Sequence, residues 1–148
     1  MPTPIPPSAL DELRALLGPA GYVDAPGDVE PFLVDHRKLY RGATPLVALP
    51  DSTAQVAAVV TLCARHGIGI VPHAGNTSYC GGATPREPGR EIVLGLRRLK
   101  RIRSVDPIND SMTVEAGCVL AEVQRAAEDA DRLFPLSLPE PAAAKAVL

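Results

Sequence analysis

Residues 46–72 constrain this chain more than any other stretch. Leu46–Leu49 is a short apolar run between Pro45 and Pro50, the pattern of a strand buried on both faces. Ser52 stands three residues before Gln55 in the form of a capping box. A helix is therefore predicted over Thr53–His66, with Val56, Val59, Val60 and Cys63 as its apolar stripe. Gly67 falls where a left-handed C-cap residue is wanted, and His66 just before it complements the helix dipole. Ile68–Pro72 then reads as a second strand. Strand, helix and strand with such short joints form a βαβ unit, whose strands run parallel and whose crossover is right-handed.

The flanks are plainer. Ser8 is expected to open and cap a short helix, with Asp11 and Glu12 near its positive end and Leu10, Leu13, Leu16 and Leu17 on one face. Asp24–Arg41 reads mostly as loop. Glu91–Leu96 is a third strand, and Met112–Glu115 a fourth behind an Asn109-Asp110 turn. Leu120–Ala130 carries Leu120, Val123, Gln124 and Ala127 at helical spacing. The fold class expected is α+β, a small parallel βαβ subdomain leading into an incomplete mixed or antiparallel sheet. Residues 1–40 form an N-terminal helix and loop, 41–138 the domain proper, and 139–148 a loose tail.

Composition narrows the function. A formal net charge of -2 gives no reason to expect a nucleic-acid partner, and 3% aromatics supply no stacking platform for bases. Leu99 and Ile102 interrupt the basic run Arg97–Arg103, so it reads as a structured segment with a solvated basic face. No apolar run is long enough for a membrane span, and Met1–Pro7 lacks the features of a secretory signal. Cys63, Cys80 and Cys118 are scattered and form no C-x-x-C pair, which argues against a disulfide framework or a zinc site and points to a cytoplasmic location. Cys63 is a core residue, Cys118 is packed likewise, and Cys80 is a small loop residue without a paired histidine. Asp35, His36 and Arg37 form a polar trio with no assignable role.

The chemistry lies after the second strand, in His73-Ala74-Gly75-Asn76-Thr77-Ser78-Tyr79-Cys80-Gly81-Gly82. The loop leaves the carboxyl end of a predicted parallel strand, where open α/β sheets place ligands. Gly75, Gly81 and Gly82 permit positive φ and close backbone approach, so several N–H groups can converge on one anion. Thr77 and Ser78 add hydroxyl donors and Asn76 an amide. The flanking acids in sequence are Asp51 and Glu87, leaving the loop itself free of carboxylates. The loop is neither a Walker loop nor a G-x-G-x-x-G turn. On residue types alone, a ligand-free glycine-rich surface loop remains an equal alternative.

An ordered set of segments breaks that tie. Pro45-Leu-Val-Ala-Leu-Pro50, Ser52-Thr-Ala-Gln-Val56, Ile70-Val-Pro-His-Ala-Gly-Asn-Thr77, Gly81-Gly82, Ile92-Val-Leu94, Leu99, Ile102, Val105-Asp106 and Thr113-Val-Glu-Ala-Gly117 together resemble the FAD-binding PCMH-type domain of the vanillyl-alcohol oxidase/p-cresol methylhydroxylase class. Within it, the D-lactate, glycolate and D-2-hydroxyglutarate dehydrogenase branch is most similar. The resemblance covers about Phe32 to Leu138, the N-terminal part of such a domain. It implies that His73, Ala74, Gly75, Asn76, Thr77 and Ser78, with Gly81 and Gly82, wrap the FAD pyrophosphate. It also implies that Leu46–Leu49 and Val114–Gly117, including Gly117, line the same cleft, and that Phe134-Pro135-Leu136, with Pro135, returns toward the flavin.

Two departures refine this. Members with covalently held flavin often carry a histidine where Asn76 stands, so FAD is expected to be non-covalent, with His73 a loop residue; Ala74 replaces a common family glycine. The family then continues into a second glycine-rich segment of the form I-G-G…N-A-G-G and a substrate domain, whereas here Pro139–Leu148 follows. The expectation is an FAD-binding part of an FAD-linked oxidoreductase resembling 2-hydroxy-acid dehydrogenases, truncated, binding FAD weakly and inactive by itself. The alternative is a non-catalytic module or subunit that keeps the fold and pairs with a second polypeptide.

Overall fold

The computed structural model describes residues 4–77, 79–86 and 89–136, so the predicted tail 139–148 and Ser78 lie outside the described residues. The capped helix forms as its sequence dictates. In α3, Thr53–His66, the Ser52 side chain accepts the Gln55 N–H at 3.3 Å, and Gln55 Oε1 accepts the Asp51 N–H at 3.0 Å. Gly67 ends the helix at φ 62°, ψ 32°, and the Ile68 N–H reaches back to the Cys63 carbonyl at 2.9 Å.

Strands β1 (Tyr22–Val23), β2 (Val47–Ala48), β3 (Gly69–His73) and β4 (Glu91–Gly95) make one sheet in the order β1-β2-β4-β3. The βαβ unit is present as β2-α3-β3, but its two strands are not neighbours. β4 lies between them, parallel to both, pairing Val47 with Val93 and running from Gly69↔Glu91 to His73↔Gly95. Ile92, Val93 and Leu94 are all buried, which is why this unbroken apolar run takes a central position. β1 adds an antiparallel edge and makes the sheet mixed.

Strict alternation divides the core. Leu46, Ala48, Ile92 and Leu94 face α1 (Pro7–Leu17) and α3, meeting Leu13, Val59, Leu62 and Cys63. Val47, Leu49 and Val93 point the other way, onto Val29 and Phe32. Those two residues come from α2 (Pro26–Val29) and a 3-10 turn (Glu30–Phe32), so part of the expected loop 24–41 is helical and plugs the second face. A second sheet is the antiparallel hairpin of β5 (Ile102–Asp106) and β6 (Ser111–Val114), with an irregularity between Ile102 and Ser104; α4 (Leu120–Glu128) follows.

Several local expectations change. Pro7 occupies the first turn of α1 with Pro6 as N-cap, and Ser8 makes no capping bond because proline already leaves one orphan donor fewer. Asp11 and Glu12 lie past the first turn and serve ion pairs instead: Asp11 with Arg14, Glu12 with Arg65 and His66. Leu16 is 37% exposed and Val60 44%, while Ala9 and Leu62 are buried in their place, since the buried stripe follows the partner helix rather than the longest side chains. β6 ends at Val114, one residue before the expected Glu115, and β5 was not marked by any apolar alternation. No helix among the described residues is long and apolar enough to cross a membrane.

Candidate functional site

The loop after β3 opens at the carboxyl end of the parallel strands, as expected for a ligand site. Pro72, Ala74, Gly75, Asn76, Thr77, Gly82 and Ala83 line a cleft of ≈ 240 Å³ that has no carboxylate among the described residues. Space for a Cβ at Gly82 is open. Positive φ falls on Asn76 (54°) and Gly81 (68°), not on Gly75 or Gly82. The Asn76 amide nitrogen is committed: it donates to the Val34 carbonyl at 2.8 Å, so it supports the loop rather than offering that donor to a ligand.

Ala74 also borders a larger groove of ≈ 600 Å³, shared with Asp51, Arg97, Arg98, Lys100, Gly117, Val119 and Glu122. Gly117 thus comes to the same wall as the loop. Its N–H donates to the Leu99 carbonyl at 2.6 Å, and a Cβ there would meet the Leu96 and Leu99 carbonyls, so glycine serves the close approach of this turn. The surroundings are not free of acids as the linear sequence suggested, because folding brings Asp51 and Glu122 to this groove. Asp51 is paired with Arg98 at 3.3 Å. Pro135 is exposed beyond α4 and borders neither cleft; its segment is tied by Gln124 to the Leu136 carbonyl at 2.9 Å, and Phe134 lines a separate ≈ 370 Å³ cleft beside the β5–β6 hairpin.

The basic run is distributed over internal partners. Arg98 donates to the carbonyls of Ala20 (3.1 Å) and Leu49 (2.8 Å), stitching strand ends together. Arg101 and Arg103 converge on buried Glu115, whose Oε1 lies 2.9 Å and 3.2 Å from their guanidinium nitrogens. Arg97 stacks over Phe32 at 5.5 Å and, with Lys100, supplies positive charge to the groove. Their alternation with Leu99 was the sequence signal; which cations face the cleft depends on the turn after β4.

His73 ends β3 buried, its ring 4.9 Å from that of Phe32. Its Nε2 is a buried side-chain atom without a hydrogen-bond partner among the described residues. Burial first, and Arg97 after it, hold its imidazole below the ordinary 6.5. Glu115 is pushed down to about 2, chiefly by the Arg101 backbone N–H and then by its guanidinium. Both folded values lie below the unfolded ones, so both contributions to stability are lost as pH falls. The His73 part goes below pH ~6.5 and the Glu115 part below ~4.5. Urea midpoints measured from pH 8 to 3 are expected to drop in two stages. His73→Leu should remove the first stage alone, and Glu115→Gln should shrink the second, to which Asp35 and Asp106 also contribute.

Comparison with known proteins gives the family of the chain. The profile of the FAD binding domain matches residues 44–144. The chain belongs to that family. It is 36% identical over 115 residues to the D-2-hydroxyglutarate–pyruvate transhydrogenase DLD3 of Saccharomyces cerevisiae, covering 78% of this chain and 23% of that protein. It is 27% identical to the glycolate oxidase subunit GlcD of Bacillus subtilis, over 91% of this chain and 28% of that protein. Among solved structures, p-cresol methylhydroxylase with substrate bound shares the fold at a TM-score of 0.73 and 23% identity, covering 95% of this chain and 27% of that one. Alkyldihydroxyacetonephosphate synthase does so at 0.75 and 20%, covering 87% and 26%.

The chain spans about a quarter of the length of the curated relatives it matches. The α+β, PCMH-type fold expected from the sequence is present, and FAD is the cofactor of this FAD binding domain. The residues present fit that cofactor: small side chains, open space at Gly82, no carboxylate among the described residues of the loop cleft, and on the adjoining groove the cations Arg97, Arg98 and Lys100 against Asp51 and Glu122.

Proposed function

We propose that this chain holds the diphosphate of FAD, without a covalent link, in the cleft formed by Ala74, Gly75, Asn76, Thr77 and Gly82, with His73, Ser78 and Gly81 in the same loop. The observation that carries the reading is a small-residue cleft at the mouth of parallel strands, lined by no carboxylate among the described residues. Backbone N–H groups and the Thr77 hydroxyl bind the phosphates, while Arg97 and Lys100 lower the cost of bringing a dianion to the groove. Gly117 lets the turn that borders the groove pack closely. The bound flavin would supply hydride chemistry, in this family's context for a 2-hydroxy acid held by residues outside this chain's cleft. The scatter of Cys63, Cys80 and Cys118 along the chain, without a C-x-x-C pair, favours a reducing compartment such as the cytoplasm.

Titration of FAD and of riboflavin into the purified chain, followed by flavin fluorescence, tests the reading. Riboflavin lacks the diphosphate. Losing two charge-assisted hydrogen bonds alone corresponds to roughly 100-fold, so riboflavin is expected to bind at least that much more weakly than FAD. Equal affinity for the two would end the proposal.

A second reading, a subunit that pairs with another polypeptide, is favoured by Leu133 at 81% exposure and Ile108 at 90%, beside a cleft that Met112, Leu133 and Phe134 line together with Asp106, Asp110 and Arg132. Under it, FAD affinity rises only when that other chain is added.

A further inference from the structure

Residues 33–42 carry no recognisable motif, yet they fold into a closed hairpin against the glycine loop. Val34 and Arg41 form an antiparallel bridge, and the Gly42 N–H donates to the Leu33 carbonyl at 2.9 Å. At the centre is Asp35, 3% exposed. Its Oδ1 accepts the Tyr40 N–H at 2.6 Å and its Oδ2 the Arg37 N–H at 3.0 Å, while the Asp35 and Tyr40 main chains pair at 3.1 Å. These donors, Tyr40 first, hold the carboxyl below its ordinary value, so it stays an acceptor.

The hairpin meets the loop where the loop is least able to hold its own shape. Asn76 takes a left-handed φ that costs a non-glycine residue on the order of 1 kcal/mol, and its side chain is fixed by the Val34 carbonyl. Gly81, the other left-handed residue in the described loop, rests on the Tyr40 ring so closely that a Cβ would lie 2.8 Å from Cδ2. Arg37 stacks 5.5 Å from the centre of the Tyr79 ring, and the His36 ring lies 6.1 Å from it. Gly42 packs against the Pro85 carbonyl on the far side of the loop. Both unusual backbone positions are therefore clamped by one element, whose own shape depends on one carboxylate.

We propose that residues 33–42 are a clasp that fixes the loop 74–82 in its flavin-binding shape, with Asp35 as the positioning residue at its hub. The proposal rests on the FAD reading above for its consequence, but the clasp itself is visible without flavin. Asp35 touches no bound group; it acts through Tyr40 and Val34.

The experiment compares the full chain with Asp35→Ala and Tyr40→Ala by amide hydrogen exchange without flavin, and by FAD titration. Amides of α3 serve as the fold control. If the loop is formed in only about a tenth of Asp35→Ala molecules, apparent FAD affinity falls roughly tenfold. Exchange within 75–82 should then rise on a similar scale while α3 stays protected. Tyr40→Ala should shift both readouts in the same direction by less, and decides the matter if Asp35→Ala also loosens α3. Unchanged loop exchange, or faster exchange with unchanged FAD affinity, overturns the clasp. Wild-type chain that does not bind FAD overturns the flavin reading, while its exchange pattern still tests the clasp.

Discussion

Replacing Gly117 with alanine is expected to lower the thermal midpoint by roughly 10 °C. A Cβ at this position would overlap the Leu96 carbonyl oxygen and lie 2.6 Å from that of Leu99. Neither is the end of a side chain that can turn aside. The Leu96 N–H is itself bonded to the His73 carbonyl at 2.9 Å, and the Leu99 carbonyl accepts the Gly117 N–H, so relief requires moving the turn after β4. Forced overpacking against backbone costs about 3 kcal/mol or more. Gly67→Ala is the comparison: φ is left-handed there but the space is open, so only about 1 kcal/mol is at stake. Circular-dichroism melts of the two variants separate steric overlap from lost backbone freedom. Equal shifts would mean that the close approach at Gly117 is not what the position requires.

Gly75→Asp is expected to weaken FAD binding by about three orders of magnitude. Gly75 borders the loop cleft and does not take positive φ, so no left-handed strain arises from a side chain there. What changes is charge. Unit charges ~4 Å apart at an effective dielectric near 20 repel by about 4 kcal/mol, which is nearly a thousandfold in affinity. Gly75→Asn has almost the same shape without the charge and should lose only about tenfold. Raising salt should recover part of the aspartate variant's loss by screening and none of the asparagine variant's. Matched affinities for aspartate and asparagine would show that no anion approaches this residue.

Local chemistry made much of the molecule legible in the chain itself. Ser52, Gln55 and Gly67 determine α3 to the residue, because caps and C-terminal glycines act within a few positions. The Leu46–Leu49 and Glu91–Leu96 runs name buried strands, and the glycine loop after Pro72 names its own neighbourhood, since small residues there leave donors exposed. Tertiary structure decided what nearness along the chain cannot express. It put β4 between β2 and β3, brought Asp51 and Glu122 to a groove that looked free of acids, and turned Arg97, Arg98 and Lys100 to that groove while Arg101 and Arg103 went to Glu115. It left Pro135 away from the loop. It turned Asp35, silent as a letter in the sequence, into the hub of a hairpin against Asn76 and Gly81. Strand order and such long-range contacts are set by which faces bury the most apolar surface together, a property of the whole packed chain rather than of any window within it.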